Sequence, residues 1–193
     1  MTNTTRALKK PRLDRRAAGI LLHPTSLAGP YSCGDLGPAA HRFIDQLTQA
    51  QIRWWQILPT TPVGPGNSPY SSTSAFAGSP LLISLENLVR DRWLTRAEAP
   101  PAKSRKSSNV DYDRAALEKT TALRTAYARF EMQSQARERR NSAESAAFER
   151  FCTERKNWLD DYTLYCALRE ANDDRPWFEW PLAERTRRPA TLT

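Results

Sequence analysis

The segment RWWQILPTTPVGPGNSPYSSTSAFAGSP, residues 53–80, turns a short apolar run into a long loop of proline, glycine, serine and threonine. The apolar part predicts a strand over Ile52–Leu58, because the run is short, continuous and stopped by Pro59. Upstream, Ala18–His23 (AGILLH) has the same character and ends at Pro24. Continuous apolar runs of this length are typical of strands buried on both faces of a parallel sheet.

A helix is predicted between these two strands. Pro38 stands at the favoured first position, and apolar residues recur at three- and four-residue spacing up to about Ala50. Strand, helix and strand in this order form a βαβ unit, which implies parallel strands covered by helices. The sequence therefore predicts an α/β fold for residues 17–95.

The loop after Pro59 carries many hydroxyls and two isolated aromatic residues, Tyr70 and Phe76. Aromatic faces stack on flat apolar patches and hydroxyls exchange hydrogen bonds, which together suit a polar, ring-shaped ligand such as a sugar. A surface loop rich in turn-forming residues is the alternative that composition leaves open.

The second half of the chain has a helical pattern, and residues 96–184 are predicted to form a helical subdomain. The predicted elements after the loop are an extended Leu81–Leu85, a helix over Glu86–Leu94, a linker over Pro100–Asn109, a helix from its cap Asp113 to Met132, and a helix over Glu144–Glu170 with Asn157 as a candidate bend. In the first long helix, the large apolar residues are expected to face inward; these are Leu117, Leu123, Tyr127 and Phe130.

Composition is that of an ordinary soluble protein, with 39% apolar and 26% charged residues. No apolar run approaches the ~20 residues that a membrane-spanning helix needs, so no membrane partner is expected. The three cysteines have no CxxC spacing, so neither a disulfide framework nor a metal site is predicted. A reducing cytoplasm is the location that fits best.

The net charge of +8 comes from the two ends of the chain. Residues 1–16 carry six basic side chains against one acidic, and residues 185–193 contain three arginines. Both segments lack periodicity, so they are predicted to be a disordered arm and a disordered tail. A nucleic-acid-binding surface more often spreads basic residues along a groove or helix face, so no nucleic-acid partner is expected.

Longer stretches resemble the 4-α-glucanotransferases, the amylomaltases or disproportionating enzymes of glycoside hydrolase family 77. AGILLHPTSLAGPYSCGDLG and RWWQILPTTPVGPGNSPYSSTSAFAGSPLLISLENL are similar to the opening of these enzymes. VDYDRAALEK, NWLDDYTLYCALRE and PWFEWP are similar to the family's helical segment. The resemblance covers residues 17–184 and is most specific in HPTSL, WQILP and SPYSSTSAFAG.

This resemblance implies the first β/α units of a (β/α)₈ barrel followed by an α-helical insertion. It also implies an α-1,4-glucan or maltooligosaccharide ligand and no cofactor. The family transfers glucan chains by a retaining double displacement, which needs two carboxyl groups about 5–5.5 Å apart. In the family those carboxylates lie on later strands, so the resemblance implies an incomplete barrel and no catalytic residue in this chain.

Two loop residues match positions of the family's sugar site. Tyr70 matches an aromatic near the scissile bond, and Ser68 matches a polar loop residue, so both are candidate glucan contacts. The alternatives are a core aromatic that pins the loop and a turn-forming serine. Pro65 and Asn67 replace an aromatic and an acid of the family pattern, which removes the basis for further contacts there.

Three other polar residues are expected to be structural. Asp35 is predicted to be a turn or cap residue, His23 a satisfied histidine beside Pro24, and His41 a solvated residue of the first helix. Two hypotheses follow: an N-terminal piece of a 4-α-glucanotransferase that is inactive alone, or a non-catalytic α-glucan-binding or regulatory module.

Overall fold

The structure is a computed structural model that describes residues 16–101, 109–135 and 142–188. The described residues contain, in chain order, β1 (Gly19–Leu21), α1 (Pro38–Gln49), β2 (Trp54–Gln56), α2 (Leu85–Arg90), α3 (Tyr112–Gln135), α4 (Ala143–Ala171) and α5 (Leu182–Arg185). Short 3-10 turns lie at Pro24–Ser26, Pro65–Asn67, Pro80–Leu82 and Trp177–Glu179. The predicted arm, apart from Arg16, and residues 102–108 of the predicted linker lie outside the described ranges. In those ranges, no helix has the length and apolar character that crossing a membrane requires.

The predicted βαβ unit is confirmed. β1 and β2 pair in parallel, with Gly19 opposite Trp54 and Leu21 opposite Gln56, and α1 connects them. A further backbone bond, from the Leu22 amide to the Gln56 carbonyl at 3.0 Å, extends the pairing beyond β1. Parallel strands joined through a helix define the α/β character of this segment.

The prediction that β1 is buried is wrong. Ile20 is 38% exposed and Leu21 is 58% exposed. Among the described residues, β1 pairs only with β2. A two-stranded sheet has too few neighbouring elements to bury both faces of an apolar strand, as larger parallel sheets do.

Helix α1 begins at Pro38 as predicted and packs on the sheet through one aromatic contact. The rings of Phe43 and Trp55 meet edge to face, with centroids 5.1 Å apart. The Trp55 indole Nε1 also donates to the Leu22 carbonyl at 2.7 Å. This tryptophan therefore joins the helix to the end of β1, while His41 on the same helix is exposed as expected.

The prediction of an extended segment over Leu81–Leu85 is wrong. Pro80–Leu82 forms a 3-10 turn, and α2 begins at Leu85 after Ser84. The Ser84 hydroxyl accepts the Asn87 amide at 3.3 Å, which is the usual capping geometry. The apolar leucines of this segment suggested a strand, but they are buried in a 3-10 turn and a short helix instead.

The cap and the inner face of α3 also differ from the prediction. Asp111, two residues before Asp113, accepts the Arg114 amide at 3.1 Å and so caps the helix. The buried positions are Ala115, Lys119, Ala122 and Ala126, whereas Leu117 is 71% exposed. The four buried residues recur at four- and three-residue spacing, and three of them are alanines, a signal that a search for large apolar residues overlooks.

Helix α4 is slightly longer than predicted, and it runs from Ala143 to Ala171 without a break at Asn157. The Ser142 hydroxyl accepts the Ser145 amide at 3.2 Å and caps its start. Beyond it, Arg185 ends α5, and the Arg187 guanidinium pairs with Asp161 at 2.5 Å. The structured part thus continues past the predicted start of the tail at residue 185.

Contacts divide the chain into two units. The first combines the described residues up to Thr60 with Pro80–Ala122, and the second combines Thr61–Ser79 with residues from Leu123 onward. This division differs from the predicted boundary between residues 95 and 96. The first part of α3 packs with the β/α segment, and the loop packs with α4.

Candidate functional site

The candidate site is the loop Thr61–Ser79 in the second unit, and its turn is built by glycine and asparagine. Gly66 and Asn67 have φ values of 68° and 58°, the left-handed region that these residue types tolerate best. A Cβ at Gly64 would lie 1.7 Å from the Ser71 carbonyl oxygen, so no other residue fits there. The Gly64 amide also donates to the Ser68 carbonyl at 3.1 Å, which closes the turn.

Serine hydroxyls hold the second half of the loop. The Ser72 hydroxyl donates to the Ser74 carbonyl at 2.7 Å. The Ser74 hydroxyl accepts the backbone amides of Phe76 and Ala77 at 3.2 and 3.0 Å. The hydroxyls of Ser72 and Ser74, which the composition of the loop suggested for ligand binding, therefore stabilise the loop backbone.

Tyr70 and Ser68 occupy the turn of this loop. The Tyr70 side chain is 74% exposed, so it does not act as a core aromatic that pins the loop within the described residues. The Ser68 hydroxyl accepts the Tyr70 amide at 3.3 Å, which is the geometry of a turn-forming serine. Within the described residues, the same hydroxyl donates no hydrogen bond.

Aromatic residues of α4 pack against the loop. Phe76 stacks on Trp158, with ring centroids 6.0 Å apart and planes inclined by 20°. Burial raises the pKa of Tyr162, and the nearby Thr73 side chain partly opposes this effect. Sequence reasoning did not identify Trp158 or Tyr162 as residues beside the loop.

The loop has no carboxylate of its own, because residues 61–79 contain neither Asp nor Glu. Asp161 lies on α4 beside the loop, but it is engaged with Arg187 at 2.5 Å. A retaining glycosyl transfer needs two carboxyl groups facing one bond. The described loop and the adjoining face of α4 do not offer such a pair.

Asp35 is a turn residue, one of the two roles predicted for it, and it is also half of a buried ion pair that the sequence did not reveal. Its Oδ1 accepts the Gly37 amide at 2.9 Å at the start of α1. Its Oδ2 accepts the Lys119 ammonium at 2.9 Å, and the Lys119 residue is only 1% exposed. Lys119 also donates to the carbonyls of Leu81 and Ile83, at 2.6 and 2.7 Å.

His23 has a structural position, at the start of the 3-10 turn that follows β1. Its Nδ1 lies 2.8 Å from the Thr25 hydroxyl, which in turn lies 3.0 Å from the Tyr112 hydroxyl. Burial lowers the pKa of His23, and the Pro59 backbone partly opposes this effect. The prediction that this histidine is satisfied holds for Nδ1, while the buried Nε2 has no well-formed hydrogen bond among the described residues.

These features first define a class: an α/β protein whose second strand leads into a hydroxyl-rich loop with exposed aromatic residues. The comparison with known sequences then names the family. A model of the 4-alpha-glucanotransferases, glycoside hydrolase family 77, matches residues 22–193, and the chain belongs to this family.

Individual relatives agree with this assignment. The 4-alpha-glucanotransferase of Synechocystis sp. is 41% identical over 180 residues, which are 93% of this chain and 34% of that protein. The Thermus thermophilus protein of the same name is 42% identical over 177 residues, which are 92% of this chain and 33% of that protein.

A solved structure supports the fold. The amylomaltase from Streptococcus agalactiae in complex with acarbose matches with a TM-score of 0.78 and 28% identity, over 92% of this chain and 34% of that one. The chain thus spans about a third of the length of the relatives that it matches.

Proposed function

We propose that this chain supplies the N-terminal third of a 4-alpha-glucanotransferase. The whole enzyme would transfer segments of 1,4-α-glucan to glucose or to a maltooligosaccharide by a retaining double displacement. Membership of the family and the one-third coverage of its members support this proposal. In this view the β/α segment contributes the first units of a barrel that the remaining two thirds would complete.

The observation that carries a glucan-contact role is the exposed Tyr70 on a loop held in shape by its own hydrogen bonds. A loop that is already ordered loses little conformational entropy when a ligand binds. The open ring face of Tyr70 suits stacking on a pyranose, and the Ser68 hydroxyl suits donation to a sugar oxygen. The acarbose complex of the related amylomaltase supports a carbohydrate ligand.

The same proposal includes inactivity of this chain alone. Asp35, before α1, and Asp161, beside the loop, are each already bonded to a cation. We therefore expect the nucleophile and the acid–base residue to come from the remaining two thirds of the enzyme.

Calorimetric titration with maltoheptaose tests the glucan contact. We expect weak binding that falls about 5- to 10-fold in Tyr70→Ala, the loss of one aromatic contact of about 1–1.5 kcal/mol. Phe178→Ala is the matched control, because Phe178 is an exposed aromatic outside the loop. Equal affinity of wild type and Tyr70→Ala would remove Tyr70 from the site.

Incubation with maltotriose tests the catalytic part of the proposal. The purified chain should release no glucose, and the chain joined to the remaining two thirds of the Synechocystis relative should disproportionate maltotriose. Glucose release by the chain alone would show that a catalytic pair exists within it. An inactive but folded chimera would argue against the proposed place of this chain in the enzyme.

A further inference from the structure

A cavity lies between the end of α3 and the start of α4, in the second unit. Both helices contribute aromatic and acidic side chains to its lining, which includes Tyr127, Phe130, Glu131 and Ser134 on α3 and Phe148 and Glu149 on α4. The three-, four- and seven-residue spacings of the α3 members put them on one face of that helix. The cavity has a volume of about 490 Å³, within the roughly 300–1,000 Å³ of small-molecule sites. We call it the α3–α4 cavity.

Three aromatic rings of the cavity lie close enough together to act on one cation. The ring centroids of Phe130 and Phe148 are 5.3 Å apart, and the Tyr127 centroid lies 6.3 Å from that of Phe130 and 6.4 Å from that of Phe148. A ring face attracts a cation within about 6 Å of its centroid, so one cation among these rings is within reach of all three. Tyr127 and Phe148 are 52% and 43% exposed, so part of their ring surface is open to a ligand.

The charged side chains of the cavity are acidic. Glu131 and Glu149 lie in its lining, which includes no lysine or arginine within the described part of the chain. Among the described residues, neither carboxylate has a salt-bridge partner. Two carboxylates without a cation of their own favour a positively charged ligand over an anion. Both glutamates are exposed, so their attraction is modest and the choice among cations falls to the aromatic faces.

We propose that the α3–α4 cavity binds an organic cation with a quaternary ammonium group. The methyl groups of such a cation pack on aromatic faces, and the electron-rich ring faces attract its positive charge. The Ser134 hydroxyl, 2.9 Å from that of Ser145, offers a hydrogen-bonding partner to a polar substituent of the cation. This site is independent of the glucan contact proposed for the loop, and neither proposal depends on the other.

The experiment follows the ring signals of Phe148 by nuclear magnetic resonance in the full chain with labelled phenylalanine, assigned through Phe148→Leu. Choline at millimolar concentration should shift these signals. Dimethylbutanol, which has the shape of choline with carbon in place of the charged nitrogen, should shift them much less. Tyr127→Leu removes one ring, so the choline affinity should fall about 2- to 5-fold, and Glu149→Gln should lower it as well. Phe151→Leu and Glu154→Gln are the matched controls, because both residues are exposed on α4 outside the cavity, and neither should change the affinity.

Three results would overturn the proposal. Phe148 signals that choline does not move would mean that the cavity binds no quaternary ammonium group. Equal shifts with dimethylbutanol would mean apolar contact without recognition of charge, and equal shifts with sodium chloride would mean a response to ionic strength alone. A choline affinity unchanged in Tyr127→Leu, with circular dichroism showing the variant to be folded, would mean that the aromatic cluster is not the binding site.

Discussion

Replacing Lys119 with methionine should strongly destabilise the first unit of this protein. Lys119 lies on α3 with 1% exposure, and its ammonium bonds the Asp35 carboxylate and the carbonyls of Leu81 and Ile83. These contacts tie α3 to the start of α1 and to the turn that precedes α2. Methionine has a similar length and volume, so Lys119→Met removes the charge and the three donors with little change in packing.

The expected loss is about 3–5 kcal/mol in the free energy of unfolding. Most of it comes from Asp35, whose side chain is 9% exposed and would keep a buried negative charge without its cation. Among the described residues, the Gly37 amide would remain as the only hydrogen-bond donor to that carboxylate. The two carbonyls add to the loss, since a buried acceptor left without a donor costs about 1–3 kcal/mol.

Urea unfolding followed by helical circular dichroism measures this effect. Lys156→Met is the matched control, because it removes the same charge from an exposed pair with Asp160 at 2.5 Å. Exposed pairs contribute little, so Lys156→Met should unfold at nearly the wild-type urea concentration. Asp35→Asn combined with Lys119→Met should recover part of the loss, because the unpaired charge is then gone.

Two results would refute this reasoning. A midpoint for Lys119→Met as close to wild type as that of Lys156→Met would mean that the buried pair contributes no more than a surface pair. A double variant as unstable as Lys119→Met alone would mean that the unpaired Asp35 charge is not the cause. If Lys119→Met is unfolded without urea, the double variant and its partial refolding still test the explanation.

Further predictions concern pH, the loop and a helix cap. Because burial lowers the pKa of His23 from 6.5, the unfolded state binds the proton more readily, so stability should fall as the pH drops below about 6.5; His23→Gln should flatten this dependence in urea midpoints measured at several pH values. Gly64→Ala should disrupt the loop, since the new Cβ would clash with a backbone oxygen. In Gly66→Ala the new Cβ meets nothing within 4 Å, so this variant should lose only about 1 kcal/mol of stability because of its positive φ. Limited proteolysis should cleave Gly64→Ala faster than Gly66→Ala, and equal rates would contradict the clash. Ser142→Ala should cost about 1 kcal/mol through loss of the α4 cap, which thermal unfolding would detect and which an unchanged midpoint would disprove.

Local signals predicted much of the secondary structure. Pro38 and the residues after it predicted α1, whose observed end, Gln49, lies one residue before the expected Ala50. The apolar runs before Pro24 and Pro59 predicted two strands, and their parallel pairing followed from the helix between them. These features depend on the backbone restrictions of proline and on short-range hydrophobic periodicity, both of which are set by residues close together in the sequence.

The candidate site was only partly predictable. The composition of the loop indicated sugar chemistry, and the resemblance pointed to Tyr70 and Ser68. The α4 residues that line the loop gave no such signal, because Trp158 is about eighty positions from Phe76 along the chain. Likewise, the hydroxyls of Ser72 and Ser74 could not be divided between ligand and backbone roles until the loop geometry was known.

The order of strand, helix, strand and loop, and the family to which the chain belongs, were contained in the amino-acid sequence, because each rests on contiguous residues. The burial of Lys119 against Asp35, the alanine face of α3 and the exposure of β1 were decided only in three dimensions. A lysine on a helix is usually solvated, and an apolar strand is usually covered. Whether a given side chain is buried or exposed depends on the distant segments that pack against it, and this packing is set by the tertiary structure.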